Sequence, residues 1–287
     1  MMRTERPSRR RALLLLLLPP VLLAAAPFAA RGQEQTPAKP APQPATATPA
    51  KPAPQPAAAT PAKPSDKPAA GIKITPVTAA STAPELARAA YESLGGDKFR
   101  DLKNMVLTGA LDLYSPGSVQ SLAGTFGVIT AGERIRQEMR SPFFNVSAIY
   151  DGVRSYSSIR SFQMPSPSKF GVPVLLKSAQ PGYTVSALPE KDKKKERAFR
   201  VTDAEGNATD FYVELATGRL ARYEIPFGDV TYIMDIKSYK TLDGVSVPWN
   251  FVQKLATSQG SFIAEFKVKE AKLNQDLPAD VFAIPDK

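Results

Sequence analysis

From residue 105 onward, apolar and polar side chains alternate with a period of two. Met105, Leu107, Leu111 and Leu113 stand on one phase, against Val106, Thr108, Ala110 and Asp112 on the other. Leu122, Phe126 and Val128 repeat the pattern, as do Val230, Tyr232, Met234 and Ile236. So do Val245, Val247, Trp249, Phe251 and Leu255, then Phe262, Ala264, Phe266 and Val268 against Ile263, Glu265, Lys267 and Lys269. Successive side chains of a strand point to opposite faces, so this alternation predicts strands with one buried face. Asp151-Gly152 and Asp243-Gly244 suit two-residue turns, and Glu205-Gly206-Asn207 and Thr217-Gly218 suit slightly longer ones. The expectation is an antiparallel meander of about ten strands, which has to curl at that length.

Two stretches depart from the alternation. Before it, Leu86, Ala90, Tyr91 and Leu94 form a helical stripe. Ser81 or Thr82 can cap that helix, Pro84 suits its first turn, and Gly95-Gly96 ends it before a short turn at 97–103. Within the meander, residues 159–176 carry Pro165, Pro167 and Pro173 among Phe162, Met164, Phe170, Val172, Val174, Leu175 and Leu176. That is too much proline for a central strand. A loop or short helix lying over the sheet is expected there, with Phe162, Met164, Phe170, Leu175 and Leu176 as its covering side chains.

The first 83 residues have neither pattern. Arg9-Arg10-Arg11, an apolar run at 13–18, Pro19-Pro20 and small residues up to Ala26 read as a secretory leader covering 1–32, cut before Gln33. The proline pair argues against a straight spanning helix. Three near-copies of a twelve-residue unit follow, TPAKPAPQPATA, TPAKPAPQPAAA and TPAKPSDKPAAG. Proline removes backbone donors and restricts its preceding neighbour, and the unit has little apolar surface to bury. Residues 33–83 are therefore expected to be a disordered, extended spacer, whose three repeats over 36–71 reach about 110 Å at roughly 3 Å per residue. The folded domain is expected over 84–287.

Charge and composition narrow the chemistry. The chain of 287 residues has a net charge of +10, 37 Lys and Arg against 27 Asp and Glu. Residues 1–32 hold six basic residues and one acid, and residues 33–83 hold five and two, so the domain itself is close to neutral. Its densest basic run, 191–197, is interrupted by Asp192 and Glu196 and reads as a solvated loop; no nucleic-acid partner is expected. The chain has no His and no Cys. That excludes His-dependent triads, thiol nucleophiles, disulfides and zinc knuckles. The acids Asp112, Glu133, Glu138, Asp210, Glu214, Glu224 and Asp235 fall mostly on the polar phase and read as outer-face charges paired across strands. Asp203, Glu205 and Asn207 have oxygen-ligand spacing but lack the remaining acids of a calcium loop. No catalytic residue, metal or cofactor is expected, and the chain is read as non-enzymatic.

Several motifs carry a family likeness. The leading helix ending in Gly-Gly before a strand near Met105 resembles the start of bacterial lipoprotein-carrier (LolA/LolB-like) domains. The hairpin Tyr239-Lys240-Thr241-Leu242-Asp243-Gly244-Val245-Ser246-Val247-Pro248 and the ending 274–285, NQDLPADVFAIP, are also similar to those of the family. The likeness covers roughly 84–287. It implies a mainly β (α+β) domain, a curled antiparallel sheet forming an incomplete β-barrel with covering helices. It also implies an apolar cavity for acyl chains of lipids or lipoproteins, with an envelope membrane complex as a further partner. The leader lacks a lipobox Cys, which disfavours an outer-membrane-anchored receptor. A periplasmic carrier fits better, tethered to the inner membrane if the leader stays uncut.

On this reading Met105, Leu107, Leu111, Leu113, Phe126, Val128, Met139, Met234, Trp249 and Phe251 are the candidate cavity residues. The soft methionines suit flexible chains. The same stripe equally describes a dry, filled core in a non-enzymatic envelope scaffold. Arg134, Arg136 and Arg140, on one phase with Glu138, either meet a headgroup or solvate the outer face.

Overall fold

The computed structural model of the protein describes residue 72 and residues 74–159, 166–189 and 195–285. The leader, the repeats, and Phe162 and Met164 lie outside the described residues, and α1 (Ala83–Leu94) opens the described elements. Glu85 accepts from both the backbone N–H and the hydroxyl of Thr82, closing a capping box at the helix start. Gly95, at φ 120°, and Gly96 return hydrogen bonds to Glu92 and Tyr91 and end it. A Cβ on Gly95 would lie 2.7 Å from the Gly244 carbonyl oxygen, so only glycine lets the helix end meet that hairpin. Packing begins ahead of the boundary expected at 84, because Val77 is buried and the Thr75 hydroxyl donates to Glu92. After α2 (Asp97–Arg100) the chain enters the sheet.

Twelve antiparallel strands form one sheet, rather than the ten expected. They are β1 (Met105–Tyr114), β2 (Leu122–Ala131), β3 (Arg134–Arg140), β4 (Asn145–Tyr150), β5 (Ser155–Ser157), β6 (Thr184–Ala187), β7 (Glu196–Thr202), β8 (Ala208–Glu214), β9 (Leu220–Phe227), β10 (Val230–Leu242), β11 (Val245–Thr257) and β12 (Gly260–Leu273). The shortest are the edge strands β5 and β6, which carry too few residues to show a period. Glu196 and Arg197, expected in a solvated loop, start β7, because they pair with Glu214 and Val213 of β8. The turn at Asp151-Gly152 is closed by the Asp151 N–H, which donates to the Arg154 carbonyl at 3.0 Å and leaves Gly152 and Val153 between them.

The spatial order is β5-β4-β3-β2-β1-β12-β11-β10-β9-β8-β7-β6. Two meanders are thus joined by the pairing of β1 with β12, and β5 and β6 occupy opposite edges. The connection from β5 to β6 therefore leads from one edge to the other. It contains the short 3₁₀ turn η1 (Pro167–Lys169) and α3 (Val172–Lys177). The sheet is not closed into a barrel. Its curvature follows from a single cavity touching β3 and β9, which stand six spacings apart in the sheet order. In a flat sheet they would be about 29 Å apart.

The inner face is packed tightly under α1. Leu86, Ala89 and Ala90 of the helix are buried, as are Phe199, Val201, Phe211, Val213, Leu220 and Ile225 of β7–β9. Ser93 ties helix to sheet: its Oγ accepts from the Leu220 N–H at 3.3 Å, and its carbonyl accepts from the Ser246 hydroxyl at 2.7 Å. On the outer face, Phe282 packs on Ala131 and Ile149, with Leu277, Val281 and Ile284 around it. No helix among the described residues is long and apolar enough to cross a membrane.

Candidate functional site

A cavity of about 460 Å³ lies between the inner face and residues 167–177. Its wall comes from Met105 and Leu107 of β1, Val128 and Thr130 of β2, Ile135 and Gln137 of β3, Tyr223 of β9, Met234 and Ile236 of β10, and Pro248, Phe251 and Gln253 of β11. Leu94, Phe99 and Leu102 add to it from the chain before β1, and Phe170 and Leu176 from the cover. Arg100, Gly132, Glu133, Arg134 and Gln180 also line it, and all five are exposed. They place its mouth at the β2–β3 turn and make its rim charged.

Three polar contacts hold the cover. Lys177 Nζ meets Glu133 at 3.1 Å across the mouth, Lys169 Nζ meets Glu205 at 2.6 Å, and the Gly171 N–H donates to the buried Thr209 Oγ1 at 3.1 Å. Phe170 packs edge-on against Phe227 with centroids 4.8 Å apart. Burial pushes the Tyr223 hydroxyl up to about 12, so the wall gains no charge there near neutral pH.

Of the residues expected at a cavity, Met105, Leu107, Val128, Met234 and Phe251 line it, as do Phe170 and Leu176 of the cover. Leu111, Leu113, Phe126 and Met139 are buried but do not line it. Phe126 sits in a cluster with Phe251 and Phe266, at centroid distances of 6.3 and 5.0 Å. Trp249 is placed away from the wall, with Lys240 Nζ 3.6 Å from its ring. The reason is a register shift at Ser238, opposite Asn250, which interrupts the alternation of β11 so that Pro248 lines the cavity instead. Leu175 is buried and is not a lining residue.

Reading by period missed Gln137 and Gln253. Both stand on the apolar phase, Gln137 between Ile135 and Met139 and Gln253 between Phe251 and Leu255. A polar residue on a buried phase was the available signal.

The acids are taken up by pairing. Asp210 receives both arms of Arg200 at 2.6 and 2.8 Å, and Asp112 meets Lys267, Glu224 meets Arg222 and Asp235 meets Lys237. Glu214 accepts from the Thr217 hydroxyl. Hydrogen bonding from Arg136, then Arg140, holds the Glu138 carboxyl below its usual range. The arginines of β3 also secure the C-terminal segment, since Arg136 donates to the Val281 carbonyl at 3.0 Å and Arg134 lies 4.8 Å from the Phe282 ring centre. Beside them on the outer face lies a shallow depression of about 350 Å³, where Gly127 contributes no side chain. Asp203 accepts from the Glu205 and Asn207 N–H groups and so builds the β7–β8 turn. Among the described residues no group of three His, Cys, Asp or Glu could hold a metal.

No protein-family model and no curated protein matches the sequence. Solved structures do. A LolA superfamily protein from Nitrosomonas europaea is 13% identical with a TM-score of 0.47, covering 71% of this chain and 99% of its own. A DUF1329 family protein from Desulfovibrio piger is 12% identical with a TM-score of 0.45, covering 69% and 94%. A protein from Vibrio parahaemolyticus, described as an outer membrane lipoprotein-sorting domain, is 10% identical with a TM-score of 0.42, covering 63% and 89%.

Proposed function

We propose that the protein is an exported, non-enzymatic carrier or sensor that shelters acyl chains of lipids or lipoproteins in the cavity between its sheet and residues 167–177. One observation carries the reading: a cavity of about 460 Å³ with an apolar wall and a charged mouth. That volume lies in the range of small-ligand pockets, about 300–1,000 Å³. Transfer of a hydrocarbon chain into it is worth ~0.8 kcal/mol per buried methylene, so a modest length of chain suffices for binding. The leader expected over 1–32 would export the chain. The Pro-rich repeats over 36–71 would let the domain range about 110 Å from an anchor if the leader stays uncut.

Native mass spectrometry of the exported protein tests this. Lipid adducts should co-purify, and delipidation should lower the melting temperature. A clean unliganded mass with an unchanged melting temperature sinks the reading and favours an envelope scaffold instead. The packing under α1 supports that second reading over its own half of the sheet.

A further inference from the structure

The wall of the cavity is mainly apolar; besides the charged mouth its polar members are Thr130, Ser168, the Tyr223 hydroxyl, Asn104, whose amide is paired with the Gln275 backbone, and two buried glutamines. Along β11 the lining residues run Pro248, Phe251, Gln253, away from the β10–β11 turn; along β3 they run Arg134, Ile135, Gln137, away from the mouth. On each strand the innermost lining residue is therefore a glutamine. Gln137 is 4% exposed and Gln253 is 8% exposed. The Gln253 Oε1 is buried and accepts no hydrogen bond. Neither side chain makes a hydrogen bond among the described residues. An unpaired buried amide is unfavourable, and leucine at position 253 would continue the apolar run of Phe251 and Leu255. A ligand that supplies the missing partner removes the penalty.

We propose that the cavity takes a hydrocarbon chain bearing a hydroxyl group, and that Gln253, assisted by Gln137, is the specificity-determining group that receives this hydroxyl. The proposal rests on the acyl-chain reading and narrows it. The hydroxyl follows from the chemistry of the amide. Oε1 requires a donor, whereas the amide turned over offers N–H and requires an acceptor; a hydroxyl is both. An ester carbonyl only accepts. An ammonium would leave water for a place without a carboxylate, since Glu133 stands at the mouth. A charged headgroup is better placed at that mouth, beside Arg100 and Arg134, leaving the hydroxyl-bearing part of the chain inside.

The test uses the full, delipidated chain and three saturated fatty acids of one length: the plain acid, the mid-chain hydroxy acid and the ω-hydroxy acid. Equilibrium binding should favour one of the hydroxy acids over the plain acid by roughly tenfold, because a site built to pair a hydroxyl discriminates against the analogue lacking it. Gln253→Leu should abolish or invert that preference, and Gln137→Leu should reduce it. If the plain acid binds as tightly as both hydroxy acids, or if the preference survives Gln253→Leu, the proposal is overturned while the acyl-chain reading stands. If none of the acids binds, both fall. Should Gln253→Leu fail to fold, the ratio measured on the unaltered protein decides alone.

Discussion

Two regions of one sheet face, built by the same alternation, reach opposite conditions. Over β7–β9, Phe199, Val201, Phe211, Val213, Leu220 and Ile225 are sealed from solvent, and the Phe199 and Phe211 rings stack at 5.2 Å. Over β1–β3, Met105, Val128 and Thr130 remain part-exposed around a void. The strands do not make this difference; the covers do. α1 has twelve residues, is capped at both ends and presents Ala87, Ala89 and Ala90, so it can lie close to the sheet. The other cover is a six-residue helix behind a short 3₁₀ turn, with proline near the start of each, held by two ion pairs and one backbone hydrogen bond. Alternation tells which face is buried, and the length and side-chain size of the cover tell whether it is filled.

Like-for-like truncation gives the hardest test of that contrast. Leu220 and Leu107 are both buried, but Leu107 borders the cavity. Leu220→Ala should cost about 4 kcal/mol, because it opens a void in a filled region, and Leu107→Ala about 2 kcal/mol, because it only enlarges one that exists. Urea denaturation reads both, and equal costs would erase the distinction. Next in size is Gly109→Ala. The new Cβ would lie 2.1 Å from the Lys267 carbonyl oxygen and 2.8 Å from the Phe126 ring, at the bulge where β1 meets β12. A loss of about 3 kcal/mol is expected although β1 is a cavity strand, since overpacking costs most where backbone must move. A variant as stable as the parent would mean that this end of the open half is looser than its contacts indicate. Ser93→Ala is smaller. It strands the buried Leu220 N–H and should cost about 1.5 kcal/mol. A loss confined to α1 and β9 in hydrogen exchange, with the cavity strands unchanged, would sharpen the boundary between the halves.

The legible parts of this architecture are those written in local chemistry. Thr82, Pro84 and Gly95 mark the helix because capping, a fixed φ at the first turn and left-handed φ depend on residue type. The long strands are legible because each carries one side facing the core. Prolines in 159–176 point to a cover because they forbid a ladder. What stayed hidden depends on pairing. The shift at Ser238 displaces Trp249 from the wall, and no period within β11 signals it. The role of Arg134 and Arg136 in gripping Val281 and Phe282 joins residues more than 140 positions apart. Gln137 and Gln253 were visible as exceptions on an apolar phase, yet their meaning needed the void beside them.

The smallest stability effect should come with a kinetic one. Lys177 and Glu133 are 33% and 52% exposed, so Lys177→Met should change folding stability by no more than about 0.5 kcal/mol. The pair nevertheless spans the mouth, from α3 to the β2–β3 turn, and any ligand wider than the gap has to break it to leave. Dissociation of a bound fluorescent fatty acid should therefore quicken about two- to fivefold in the variant. In the unaltered protein the rate should rise with ionic strength, because salt screens a part-exposed pair, and in the variant that dependence should flatten. Hydrogen exchange should quicken at Gly171 and through α3 while α1 keeps its protection. An unchanged dissociation rate would show that the ligand leaves elsewhere, and matching losses in α1 would show that the two covers open as one.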